Sequence, residues 1–516
     1  MTLQERAASL TPEEIVALLE SHQELTESHS ELSAELSSLR QQLEWFRRQL
    51  FGSTSERRID APLAQMLLGE MLPTPANPVP TEEVPGYTRE RRRPDKGPDS
   101  HGLRFDPTVP VEEIRIPDPE KPEGALVIGE KVTHRLAQRP ASYVVKKYIR
   151  EVWKHPETGK VSSVPAPASV LPGSYADVST LACLLVDKWV YHLPLYRQHQ
   201  RMQAAGVHVN RGTLTHWVQG AVRLLQPVYR AQVGSVLSSA VLLMDETPIK
   251  AGRNKDKGKM RTGYFWPIYG DRDEVVFPFY PTRAHEVVLR ELGATFEGTL
   301  VTDGYPGYAR YAERVASVVH AQCWVHVRRK FVQAEGVEPE LAETALSRIR
   351  DLYRIEETVR QRGDPGKAAE YRALHSKPIV DTFFTWLKQV FEDRILLPSS
   401  PFTEAANYAL EREQELRVFL ADPAVPLDTN QVEREIRPVA LGRKNWMFCW
   451  TEVGAEYAGI VQSLVNTCRL QGVDPYTYLV DVLQRIETHL AKDVEQLIPR
   501  LWKTTFADNP LPATLK

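Results

Sequence analysis

Cysteine is scarce in this 516-residue chain: Cys183, Cys323, Cys449 and Cys468 are the only four, and no two stand at Cys-x-x-Cys spacing. That excludes a structural zinc site of the common kind, and single scattered thiols suit a reducing cytoplasm. Long apolar runs are missing too. No uncharged stretch approaches the roughly 18 residues that span a bilayer, so no membrane partner is expected. The N-terminal Met1-Thr-Leu-Gln-Glu-Arg-Ala7 lacks the basic-then-apolar order of a signal peptide. A strong excess of either charge is also lacking: the net charge is −3. Any contact with nucleic acid must therefore come from local basic patches rather than from the whole surface.

What is present is ordinary globular material, 42% hydrophobic and 25% charged, enough for about three domains at roughly 150 residues each. Residues 1–56 predict a coiled coil. Leu18, Leu25, Leu32, Leu39 and Phe46 fall seven apart, and Ile15, His22, His29, Leu36, Leu43 and Leu50 form the offset series. Thr11-Pro12-Glu13-Glu14 starts that helix as N-cap, first-turn proline and capping box. Self-association into a homodimer or higher oligomer follows as the expectation, with packing on the chain's own body as the alternative. Residues 57–100 read as a Pro/Arg-rich linker, with seven prolines between 71 and 98 and a cluster at Arg89, Arg91, Arg92, Arg93 and Lys96. Residues 101–172 predict a small β-rich module, turning at Glu157-Thr-Gly-Lys160. Residues 173–235 predict a helix–turn–helix: a helix started by His192-Leu-Pro-Leu195 and running to about Ala205, Gly206 as breaker, and a second helix capped by Asn210. Arg211, Thr213, Thr215 and His216 at its start are the candidate base-reading residues.

Residues 236–334 alternate strand and helix, with strands expected at 240–245, 263–269, 275–280, 299–303 and 315–320. The first three suit an antiparallel meander, and the whole suits a mixed sheet. Residues 335–427 predict a helical insertion, 428–495 a mostly helical closing part, and 496–516 a tail. Three acids stand out. Asp245 ends the apolar run Ala240-Val-Leu-Leu-Met244, Asp303 ends Gly298-Thr-Leu-Val-Thr302, and Glu433 lies in the first turn of a helix begun by Asn430. Aspartates at strand ends and a helix-borne glutamate can together hold two hard cations, an arrangement for cutting and joining phosphodiesters. Each has a plainer reading: Asp245 as a turn cap, Asp303 as half of an Asp-Gly turn, Glu433 paired to Arg437 four residues on. Glu246 is expected on the opposite strand face from Asp245, and Glu435 is the substitute for Glu433. Arg328, Arg329 and Lys330, with Arg434, Arg437, Arg443 and Lys444, form local basic patches suited to a phosphate backbone or to carboxylate pairing. Cys323 and His326, three apart, are too few for zinc.

Several runs carry a resemblance: Met244-Asp-Glu-Thr-Pro248, Thr302-Asp-Gly-Tyr-Pro-Gly-Tyr308, Cys323-Trp-Val-His-Val-Arg-Arg-Lys-Phe331 and Asn430-Gln-Val-Glu-Arg-Glu-Ile-Arg-Pro-Val-Ala-Leu-Gly-Arg-Lys-Asn-Trp446. Leu50-Phe-Gly-Ser-Thr-Ser-Glu56 and Gly472-Val-Asp-Pro-Tyr-Thr-Tyr-Leu479 add to them. In this order they resemble the large transposase of the insertion sequence 66 family. The resemblance implies an α+β multidomain protein whose catalytic core is RNase H-like and interrupted by a helical insertion. It implies a triad of Asp245, Asp303 and Glu433, two Mg²⁺ ions with Mn²⁺ as substitute, and cleavage and strand transfer of DNA at terminal inverted repeats and target. Accessory element-encoded proteins and a cytoplasmic, nucleoid-associated location belong to the same expectation. Relatives usually carry a cysteine-rich zinc module before the helix–turn–helix; residues 101–172 hold no cysteine, so zinc is not expected. A non-catalytic DNA-binding dimer and a nuclease that cuts without joining stand as alternatives.

Overall fold

The computed structural model describes residues 103–139, 142–253, 259–362, 365–393, 397–446 and 449–513. The expected coiled coil and linker lie outside the described residues.

The first described part is β-rich. Strand β1 (Arg104–Phe105) is followed by β2 (Val111–Ile116), β3 (Leu126–Arg139), β4 (Ser142–Lys154) and β5 (Val161–Ser162). β4 lies between β2, which it pairs in parallel, and β3, which it pairs antiparallel, and β5 folds back on its end. Gly159 turns that last corner at φ +67°, a conformation that favours glycine. Helices α1 (Val178–Trp189) and α2 (Leu195–Ala204), the short β6 (Val207–His208) and the long α3 (Arg211–Leu237) come next. The Asn210 side chain accepts from the Gly212 N–H at 2.8 Å, so it caps α3 as its residue type predicts. Gly206, at φ +79°, makes the corner after α2, and β6 pairs with β1.

One buried ion pair ties the β-rich part to the helices. Lys146 of β4 is fully buried and meets Asp177 at 2.8 Å. The same carboxylate caps α1 through the Ser179 N–H and hydroxyl. A buried charge survives only when paired and hydrogen-bonded, so this contact fixes how β4 and α1 meet.

The central sheet follows. Its strands are β7 (Val241–Met244), then β10 (Ile268–Gly270), β11 (Glu274–Val276), β13 (Gly298–Thr302) and β14 (Val318–Gln322), in the order β11-β10-β7-β13-β14. β11, β10 and β7 run antiparallel, while β7, β13 and β14 run parallel. Between β7 and β10 the chain makes β8 (Thr247–Arg253) and β9 (Met260–Phe265), which join β12 (Phe279–Tyr280) in a separate three-stranded sheet. Two expected strands are thus each split. Residues 263–269 break at Pro267 and 275–280 at Pro278, because proline cannot donate to a ladder. β8 was not expected from the sequence.

Helices cover both sheet faces, so the central strand β7 is apolar throughout and β13 is mostly buried. Leu242, Met244 and Leu300 pack with Val287, Val288 and Leu292 of α4 (Glu286–Leu292) and with Tyr308 and Tyr311 of α5 (Pro306–Arg314). Val241, Leu243 and Val301 face the other way. After β14 come α6 (Trp324–Ala334) and the helical insertion: α7 (Pro339–Arg362), α8 (Pro365–Tyr371), α9 (Lys377–Asp393), α10 (Pro401–Leu410) and α11 (Glu413–Ala421). Trp324 and Phe331 of α6 pack edge-on against Phe383 and Phe402 of the insertion, which anchors it beside the sheet. The chain ends in α12 (Asn430–Trp446), α13 (Glu452–Leu470), α14 (Pro475–Arg485) and α15 (Pro499–Thr505). Among the described residues no helix is long and apolar enough to cross a membrane.

Asp177→Ala leaves the Lys146 ammonium buried without a partner and removes the α1 cap. The expected cost is about 3–5 kcal/mol of stability, read as a lowered midpoint in urea unfolding followed by circular dichroism. An unchanged midpoint would remove this pair from the contacts that hold the fold.

Candidate active site

Asp245 and Asp303 occupy the residues directly after β7 and β13, two parallel neighbours in register at Leu243 and Val301. Both carboxylates therefore emerge at the same sheet edge, where strand ends leave a crevice for ligands. The Asp245 N–H donates to the Pro267 carbonyl at 3.3 Å, which fixes the turn, and the Asp245 carboxylate accepts the Glu246 N–H at 2.7 Å. The Asp303 carboxylate accepts the Tyr305 N–H at 2.9 Å and leads into α5 with Pro306 at its start. The plainer reading of Asp303 as a turn residue is thus present in the structure, and the same carboxylate lies beside those of Asp245 and Glu246. Gly304 is required by close approach: a Cβ there would lie 2.5 Å from the Tyr408 hydroxyl of the insertion.

Ligand oxygens of Asp245, Glu246 and Asp303 all lie within 4.8 Å of one another. The inclusion of Glu246 corrects the expectation that it faces away from Asp245. Strand alternation does not reach it, because β7 ends at Met244 and residues 245–246 are a turn. Glu246 is drawn in by Arg283, whose Nε donates to it at 2.7 Å, and by the Tyr308 hydroxyl at 2.8 Å. Burial, then the charge of Asp303, raises the Glu246 pKa against the pull of Arg283. Asp245 is pushed well above its ordinary value of 3.8, first by burial and then by the negative charges of Asp303, Glu246 and Glu433.

Glu433 reaches the same edge from α12. Asn430 is the first residue of this helix rather than its cap; the Asp428 carboxylate accepts the Asn430 N–H at 2.9 Å, and Thr429 offers its carbonyl to the Glu433 N–H at 3.0 Å. Glu433 lies outside the 4.8 Å cluster but close enough to press on Asp245. Its neighbours are the Arg329 guanidinium at 3.5 Å and the His326 imidazole at 3.8 Å, both from α6. The plainer alternative, a helical pair with Arg437, is not what the structure shows: the neighbours come from across helices. Glu435 turns instead toward α13, where burial pushes its carboxyl up to about 7 against Arg469. Cys323 does not join His326: its sulfur accepts from the Thr429 N–H and hydroxyl, and burial pushes the thiol up to about 11.

The donor set fits hard divalent cations. It is all carboxylate oxygen, as Mg²⁺ prefers, and its charges are crowded in a way that a cation relieves. Of the buried polar atoms without a hydrogen-bond partner among the described residues, two lie at this site, Glu433 Oε1 and His326 Nδ1. Such acceptors are rare unless a ligand or ion satisfies them.

The chain belongs to the IS66 transposase family. The family model described as "Transposase IS66 family" matches residues 173–457, and the IS66 C-terminal element matches 463–500. A third, described as "Transposase C of IS166 homeodomain", matches 38–114. Among curated proteins of Sinorhizobium fredii, the chain is 31% identical to the uncharacterized protein y4hP over 410 residues, 74% of this chain and 72% of that one. It is 33% identical to the uncharacterized protein y4jD over 401 residues, 73% of this chain and 76% of that one. Asp245, Asp303 and Glu433 all fall inside the first matched span.

The basic residues expected to meet DNA are distributed over three helices. Arg211, Thr215 and His216 are exposed at the start of α3 and Thr213 is half-buried there, with Arg211 stacked 5.5 Å from the Tyr196 ring. Arg328 and Arg329 are exposed on α6, while Lys330 sits 5.7 Å from the Tyr408 ring. Arg434, Arg437 and Lys444 are exposed along α12. Arg443 differs from expectation: it donates to the Thr247 hydroxyl at 3.1 Å and to the Pro248 carbonyl, tethering α12 to β8. Arg283, Tyr305 and Tyr308 were not singled out from the sequence. The short distance of both tyrosines from Asp303 was the only signal available.

The raised carboxyls give a pH dependence of definite sign. A carboxyl whose folded-state pKa is raised keeps its proton where the unfolded chain has lost it. Its stability contribution is full below the unfolded value and is lost as pH rises through the folded one. Metal-free protein is therefore expected to lose melting temperature as pH rises above 3.8, the ordinary value for Asp245, and Asp245→Asn should flatten that slope. Mn²⁺ should raise the melting temperature more at pH 8 than at pH 5, since protons compete for the same oxygens. Equal stabilisation by Mn²⁺ at both pH values would count against a carboxylate site.

Proposed function

We propose that this IS66-family chain is a DDE transposase with Asp245, Asp303 and Glu433 as its catalytic acids, acting on double-stranded DNA at element ends and target. The observation that carries it is the meeting of Asp245 and Asp303 at the ends of paired parallel strands, with Glu433 at the same edge. The sheet order, three antiparallel strands continued by two parallel ones, supports the RNase H-like reading of the core. The helices α7–α11 support the reading of an insertion placed before the last acid.

Asp245, Asp303 and Glu433 would hold two divalent ions, Mg²⁺ with Mn²⁺ as substitute. When bound, such a pair supplies activation of the attacking water or 3′-hydroxyl and charge stabilisation at the leaving oxygen. Asp245 and Asp303, anchored on the strands, present their oxygens with little freedom left to lose. Glu433, on a helix start, can adjust. Arg329 of α6 offsets its charge at 3.5 Å, and His326, whose pKa burial lowers, stands beside it as a neutral imidazole at 3.8 Å. Exposed cations on α6 and α12 (Arg328, Arg329, Arg434, Arg437 and Lys444), with Lys330 and Arg443 beside them, would track phosphates. Arg211, Thr213, Thr215 and His216 at the start of α3 would read base edges of the terminal inverted repeats. The N-terminal heptads would pair protomers, one per element end, with accessory element-encoded proteins as further partners in the nucleoid.

Asp245→Asn is expected to lower Mg²⁺-dependent cleavage of an element-end duplex by about a thousandfold or more, since metal-held charge stabilisation is worth several kcal/mol. Binding of the same duplex in a gel-shift assay should persist. Cleavage near the wild-type rate would refute the site. A pre-cut end that fails to join target DNA would favour a nuclease over a transposase.

A further inference from the structure

Arg283 combines two properties that rarely occur together: its side chain is 48% exposed, yet it is held from three directions. Nε and Nη2 donate to Glu246, with Nε at 2.7 Å. The guanidinium stacks on the Tyr305 ring with its carbon 4.6 Å from the centroid. The Tyr305 hydroxyl in turn donates to the Arg283 carbonyl. Glu246 is only 3% exposed and is itself fixed by the Tyr308 hydroxyl. An arginine meant only to neutralise a buried carboxylate would have no need to present its other edge to solvent. Here the Nε and Nη2 edge is spent on Glu246, and Nη1 has no hydrogen-bond partner among the described residues on a side chain that is 48% exposed. A guanidinium fork fits a phosphate in two hydrogen bonds, and prior immobilisation spares the rotamer entropy that a free arginine loses on binding.

We infer that Arg283 grips a phosphate of the DNA strand entering the carboxylate site, and that Glu246 is the positioning residue which holds it there. The inference rests on the DNA reading above. It assigns Glu246 to the arginine rather than to the metal, and it accounts for a fourth acid in a site where three suffice.

The test is fluorescence anisotropy of a short labelled duplex of arbitrary sequence with the full-length protein in calcium chloride, across a series of NaCl concentrations. Arg283→Ala should weaken binding about tenfold and reduce the slope of log affinity against log salt by about 0.9, the loss of one phosphate contact. Arg354→Ala, on the exposed face of α7 and paired to Asp351, should change neither. Arg283→Lys keeps the charge without the fork, so the slope should persist while affinity falls severalfold. Glu246→Gln supplies the sign test. Removing a negative charge near DNA strengthens binding by simple electrostatics, whereas loss of a positioning residue weakens it, and weaker binding is expected. Melting curves confirm folding of each variant; should Arg283→Ala fail to fold, Arg283→Lys and Glu246→Gln carry the test. Tighter binding by Glu246→Gln overturns the inference, as does an unchanged slope in Arg283→Ala or an equal loss in Arg354→Ala. A wild-type protein that binds no duplex overturns the DNA reading itself.

Discussion

Burying like charges side by side is the constraint around which this structure is arranged. Asp245, Glu246 and Asp303 bring three carboxylates within 4.8 Å, with Glu433 adding to the repulsion. Left unopposed, such a cluster would swell or take up protons. The fold opposes it with stiff supports. Two paired parallel strands hold the backbones of Asp245 and Asp303, Arg283 and Tyr308 satisfy Glu246, and Arg329 and His326 stand against Glu433. What remains uncompensated is concentrated on Asp245. A cation held among such crowded carboxylates would couple its binding to the stability of the fold.

The supports come from parts of the chain far apart in sequence. The sheet gives the aspartates, α6 gives the opposing cation and imidazole, and α12 gives the glutamate. Arg443 ties α12 to β8, the strand that directly follows the Asp245-Glu246 turn. The two edges of the site are thus linked through Arg443, and the position of Glu433 is not left to the helix alone. The insertion contributes from the side: Tyr408 packs against Gly304, and its aromatic residues clamp α6. The helices between β14 and α12 therefore brace this edge as well as separate Asp303 from Glu433 along the chain.

Much of this was legible in the sequence. Apolar runs ended by aspartate marked both strands and their exits, because a buried strand must be apolar on both faces and its end must meet water. The Asn210 cap and the Gly206 corner were readable since each depends on one residue's own chemistry. Proline at 267 and 278 was visible but underused; each cuts a strand in two, and together they divert β8, β9 and β12 into a second sheet. Glu246 was misread because alternation was carried one residue past the strand end. For Glu433 the sequence offered only a same-helix alternative partner, Arg437, where spacing is known, while its neighbours in the structure come from α6.

The sequence by itself determined the Asn210 helix cap and the apolar runs that end at Asp245 and Asp303, since propensity, capping and hydrophobic pattern act over a few residues. Only the tertiary structure decided which groups face those acids: Arg283 and Tyr308 for Glu246, Arg329 and His326 for Glu433, Thr247 and Pro248 for Arg443. Charge acts through space and over short range in a protein, and no local pattern in a chain records which distant side chain will lie four ångströms away, roughly the reach of an ion pair.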